Sequence, residues 1–140
     1  MKRYSRLALW IDRLVLAAAT SIFTTIGLRY IADPVRAAAA TGVTLGSAMA
    51  STTTRIGFGA FPLAFAIFSL SCLLSRRRLR AGVSLVATVV TTAIVVRLFS
   101  LAADGAAAES IRLFIPEAAI LLLSISGLLL EAAPAKEARV

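Results

Sequence analysis

The chain has 140 residues, 59% of them apolar, and a formal charge of +8, with a mean hydropathy of +0.90. Soluble domains of this length are not so apolar, so the expected solvent is lipid. A single cysteine, Cys72, and the absence of histidine exclude an internal disulfide, a CxxC redox pair and the usual metal-ligand spacings.

The first element opens with a basic flank, Lys2, Arg3 and Arg6, ahead of an apolar run from Trp10 to Ile31. Its length suits a helix crossing about 30 Å of hydrocarbon, for which roughly 20 residues are needed. A cleaved signal peptide is disfavoured by spacing, since the Ala-rich stretch at 37–40 lies well past the end of the apolar run. The run is therefore read as an uncleaved span.

After it, Asp33 can cap a short helix, Pro34 suits its first turn and Gly42 can stop it. A short surface helix is predicted in this first outer loop. Gly46 and Ser47 signal another start, so that a helix beginning near Ala48 carries Thr52, Thr53 and Thr54 before the second apolar run, Ile56 to Ser75. Pro62 inside this run reads as a structural kink or as a hinge.

The third run, Ala81 to Ala103, follows the cluster Arg76, Arg77, Arg78 and Arg80, and the fourth extends from Ile111 to Leu130. The short connections predict antiparallel neighbours and an all-α, four-helix up-down membrane bundle, with residues 1–140 forming one domain. Counting the flanks places Lys2, Arg3, Arg6, Arg13, Arg76, Arg77, Arg78, Arg80, Lys136 and Arg139 on one side, against Arg29, Arg36, Arg55 and Arg112 on the other. The positive-inside rule then puts both termini in the cytoplasm.

Charges inside the runs are the strongest pointers to a site. Arg97 lies seven residues before Asp104 and Glu117 six after Ile111, so both sit roughly 10 Å from the outer ends of their helices, at about 1.5 Å per residue. A charge in hydrocarbon costs at least about 2.5 kcal/mol and needs a partner, a cavity or a route to water. Matched depth on adjacent helices predicts a buried ion pair. Register fixing, independent snorkelling and a ligand or proton site remain open as its meaning. Pro116 beside Glu117 adds the prospect of a kink near the pair.

Arg29, Arg55 and Arg112 fall at the outer ends of spans, where they read either as interfacial anchors or as a basic vestibule for an anion. Asp12 and Arg13 near the inner end of the first span read as anchors too. Small residues, Gly57, Ala60 and Ala64 in the second run and Gly82, Ser84 and Ala87 in the third, suggest close helix approach. Ser84, Thr88 and Thr92 recur every four residues, as a packing face or a polar permeation stripe.

In order and spacing, Ala32-Asp33-Pro34, Arg55-Ile56-Gly57-Phe58-Gly59, Arg97 and Pro116-Glu117 resemble the domain of unknown function 4345 family of small bacterial membrane proteins. The resemblance covers nearly the whole chain. It implies a compact four-helix protein of the bacterial cytoplasmic membrane, with a looser similarity to DoxX-like bundles, and supplies no catalytic residue.

The residues contain no nucleophile–base arrangement, and the basic residues lie between apolar runs rather than across a face interleaved with aromatics, as nucleic-acid binders require. The expected protein is thus a non-enzymatic structural, accessory or interaction protein without cofactor, metal or nucleic acid. Its expected partners are the lipid bilayer and either itself or a larger membrane complex. The alternative is a small transporter or ligand-binding bundle around Arg97 and Glu117.

Overall fold

The computed structural model describes residues 6–105 and 108–132; Lys2, Arg3, Lys136 and Arg139 of the expected cytoplasmic flanks lie outside them. The described residues form helices α1 (Arg6–Ala32), α2 (Pro34–Ala39), α3 (Ala48–Thr54), a π-helical segment (Arg55–Ala60), α4 (Phe61–Leu73), α5 (Leu79–Asp104) and α6 (Ala108–Ala132), with no strand among them. Helices α1, α5 and α6 outrun their apolar stretches at both ends, whereas the second helical stretch starts well before Ile56 but ends at Leu73, short of Ser75. A helix once nucleated gains a hydrogen bond for every further residue fixed, so it continues until a specific residue stops it.

Those stops are visible. Asp33 Oδ1 accepts the Arg36 backbone N–H at 3.0 Å and starts α2, with Pro34 in its first turn. The helix closes in a Schellman arrangement, where the Val43 and Gly42 N–H groups donate to Ala38 O and Ala39 O. Gly42 has φ +79°, the left-handed conformation that glycine adopts at least cost. Ser47 Oγ then accepts from Ala50 N–H at 3.1 Å and starts α3.

From Ala48 the chain runs to Leu73 as one helix of 26 residues. Pro62 does not break it. Instead the turn before it widens, and the Phe61 N–H reaches back to Ile56 O. A proline has no N–H to give and crowds the carbonyl four residues earlier. A π turn relieves that crowding while keeping the helix continuous. At the other end a tight turn, with Arg78 N–H donating to Ser75 O, leads into α5, which stops at Gly105, φ +91°.

Helix α1 packs against α4, the π segment, α5 and α6, while α5 packs against α4 and α6. The central cluster contains Val15, Leu16 and Ala19 of α1, Cys72 of α4, and Leu79, Val83, Val86 and Val90 of α5. The backbones of α1 and the π segment approach closely, so that a Cβ on Gly27 would meet Gly59 O at 2.9 Å. The Arg55 Nε–H donates across the same contact to Ile31 O, 3.2 Å away.

Three helical stretches, Arg6–Ala32, Ala48–Leu73 and Leu79–Asp104, are long and apolar enough to cross a membrane, and the apolar stretch of α6, Phe114–Leu130, is shorter. Two expected packing faces point elsewhere. Gly57, Ala60 and Ala64 are exposed, as are Ser84, Thr88 and Thr92. The threonine hydroxyls bond back into their own helix, Thr88 to Ser84 O and Thr92 to Thr88 O, at 2.9 Å each. Of the expected small residues Gly82 does lie in a close contact, against Cys72 and Leu16, and the other close approaches use Gly27 and Gly59.

Candidate functional site at the α5–α6 ion pair

Helices α5 and α6 lie side by side and bring Arg97 and Glu117 together. Arg97 Nε donates to Glu117 Oε2 at 2.9 Å and Nη2 to Oε1 at 2.6 Å. This is the two-pronged geometry in which a planar guanidinium satisfies both carboxylate oxygens. The side chains keep 19% and 23% of their accessibility. The pair is therefore half-enclosed between helices rather than sealed in the core. Pro116 precedes it within α6, which continues past it as helix.

Below the pair, α1, α5 and α6 enclose a cavity of about 160 Å³ whose walls include Ala19, Phe23, Val86, Val90 and Ile120. Among the described residues Glu117 is the one charged residue in that wall. The arrangement offers an apolar chamber with a single anionic edge whose charge is matched by Arg97. Such a chamber can hold a small apolar body and accept one hydrogen bond from it. It does not present a nucleophile with an adjacent base, and no group of three metal-binding side chains converges among the described residues.

The three candidate vestibule residues do not line one common groove. Arg55 is tied to the carbonyl of Ile31, one of the last carbonyls of α1, which have no partner within the helix. Arg29 shares a groove at the α1–α2 corner with Asp33 and Arg36, and Arg112 is exposed on α6. Neither Arg55 nor Arg112 contributes to the groove that holds Arg29.

Asp12 is the residue whose setting the sequence did not reveal. It is fully buried on α1, and a side chain at Gly127 of α6 would collide with its Oδ1. Ser69 and Ser124 are also buried, Ser124 donating to Ile120 O at 2.8 Å. A signal was available in the spacing: Asp12, Leu16, Ala19 and Phe23 recur at the intervals of one helix face, and that face turns inward.

A family model described as a domain of unknown function (DUF4345) matches residues 11–129. The chain belongs to the DUF4345 family. The match spans α1 through most of α6 and so includes the Arg97–Glu117 pair, the π segment and the α1–α2 corner. No curated protein and no solved structure matches the chain.

Proposed function

We propose that this DUF4345 chain is a four-span protein of the bacterial cytoplasmic membrane, with both termini on the cytoplasmic side, acting as a structural, accessory or interaction component rather than an enzyme. One observation carries the membrane reading: the large apolar side chains face outward. Trp10 and Phe99 are each 71% exposed and Ile67 is 64% exposed, while Asp12, Ser69 and Ser124 are buried. Water would penalise that distribution over the whole surface, whereas lipid favours it. The apolar part of α6, Phe114–Leu130, lies at the short end of the roughly 17–25 residues that span a bilayer. The exposed arginines at the α4–α5 turn, together with the rule that cytoplasmic loops are basic, support this orientation.

Flotation of the expressed chain with vesicles after alkaline washing tests the membrane assignment, and reporter fusions after residues 76–78 and 105 test the orientation. The expected result is co-flotation, with the first reporter cytoplasmic and the second external. Release of the chain into the soluble fraction would defeat the reading. Its partners are proposed to be the bilayer and either further copies of itself or a larger membrane complex; a detergent-corrected monomer with no co-purifying protein would count against the latter.

A second reading is favoured by the cavity beneath Glu117: a small transporter or ligand-binding bundle that admits an apolar molecule to the Arg97–Glu117 edge. If ligand affinity or flux of the reconstituted protein is the same after Arg97→Gln and Glu117→Gln are combined, this reading fails.

A further inference from the structure

At the α1–α2 corner, a groove of about 460 Å³ is lined by Arg29, Ala32, Asp33, Arg36, Ala37 and Ala40. Its three alanines project only methyl groups, so the space between the two arginine-bearing walls stays open. At about 30 Å³ per water molecule in the liquid, the volume exceeds what one small hydrated ion fills. The groove is held in place because Pro34 and Ala38 of α2 are buried and α2 packs on α1.

The arginines at this end of the molecule have different fates. Arg55 is engaged with Ile31 O. Arg29 and Arg36 are exposed, and among the described residues neither forms an ion pair with a carboxylate. Asp33, the acidic residue in the wall, directs Oδ1 to the backbone N–H of Arg36 and is thereby committed to starting α2. Two cations against one anion leave the groove net positive. Guanidinium groups match phosphate oxygens in geometry and hold their charge at any physiological pH.

We propose that this groove binds a phosphate group between Arg29 and Arg36. Two sources share that chemistry: the headgroup of an anionic phospholipid, reached because α1 ends its apolar run at Ile31 beside the groove, and free phosphate from the aqueous side. The lipid source rests on the membrane reading above, and flotation measured on the same preparations separates failure of that reading from failure of the site.

Full-length protein in mild detergent is equilibrated with equal amounts of phosphatidylglycerol and phosphatidylcholine, and the retained lipid is counted by native mass spectrometry. The wild type is expected to prefer phosphatidylglycerol. Arg29→Gln combined with Arg36→Gln is expected to reduce that preference at least about fivefold, the effect of roughly one cation near an anionic surface. Arg76→Gln combined with Arg77→Gln removes the same charge from the opposite end and is expected to retain the preference.

A second arm titrates inorganic phosphate into protein in phosphatidylcholine micelles and follows the melting temperature. A rise lost in the Arg29/Arg36 variant and kept in the Arg76/Arg77 variant assigns the site to free phosphate, and a lipid preference without such a rise assigns it to headgroups. Ala37→Leu keeps both charges but fills the groove, and it is expected to weaken whichever ligand binds even if the charge variant misfolds. Equal losses in both charge variants, unchanged binding in the Arg29/Arg36 and Ala37 variants, or no response to either probe would overturn the proposal.

Discussion

The Arg97–Glu117 fork is a tie between two helices whose value depends on neither partner being left alone. Replacing Glu117 by Gln keeps the shape but leaves the Arg97 guanidinium, half-enclosed between α5 and α6, with only a neutral acceptor. The expected loss of stability is about 1–3 kcal/mol, below the range for fully buried pairs because both side chains retain some access. Arg97→Leu and Glu117→Leu together are expected to cost less than Glu117→Gln, since no orphaned charge remains. Reversible unfolding in mixed detergent and SDS measures both, and a Glu117→Gln protein as stable as the wild type would mean that the pair does not tie the helices. Asp12 and Gly127 form a close contact between α1 and α6. Gly127→Ala puts a methyl group against the Asp12 carboxylate and is expected to destabilise by about 1–3 kcal/mol. Asp12→Ala in the same background is expected to recover part of this, and strictly additive effects would show that the two positions do not interact.

Among the elements, the joint between α1 and the π segment combines the features that local rules treat separately. Pro62 widens the preceding turn, Gly27 and Gly59 allow the backbones to approach, and Arg55 reaches over to Ile31 O. A side chain at Gly27 acts on all three. Gly27→Leu is expected to destabilise by about 1–3 kcal/mol through overpacking and to speed hydrogen exchange in α2, which is seated on α1. Wild-type exchange in α2 would show that the joint and the corner are independent. Gly42→Ala tests the corner alone: its φ of +79° imposes a penalty of about 1 kcal/mol on any residue with a Cβ.

For the molecule as a whole, the outward apolar surface and the inward polar residues make opposite predictions for equivalent substitutions. Ile67→Arg places a charge on the exposed face of α4. By insertion scales it is expected to cost about 2.5–3.5 kcal/mol near the centre of a bilayer and to lower the membrane-integrated fraction. Thr88→Ala and Thr92→Ala on the exposed face of α5 remove hydroxyls that already bond to their own helix, so integration and stability are expected to change by less than about 0.5 kcal/mol. Both are read from glycosylation-mapped insertion and melting in detergent. Tolerance of Ile67→Arg would place that face in water.

The amino-acid sequence determined what depends on neighbours a few residues away. Helical content, the Asp33 and Ser47 caps, the Gly42 stop and the start of α3 at Ala48 follow from backbone donors and acceptors that residues nearby must satisfy, and they were legible in the sequence. The meeting of Arg97 with Glu117 was legible too, because short connections convert residue counts into depth. Tertiary structure decided which faces turn inward. Gly57, Ala60 and Ala64 have the composition of a packing face yet lie outside, Asp12 resembles an interfacial anchor yet is buried, and Arg29 shares its groove with Arg36 while Arg55 turns to α1. Helices apolar on nearly every side carry little periodic contrast, so their own residues cannot distinguish a lipid-facing stripe from a core-facing one. That distinction arises only when close approach at Gly27, Gly59 and Gly82, set by distant partners, fixes the rotation of each helix.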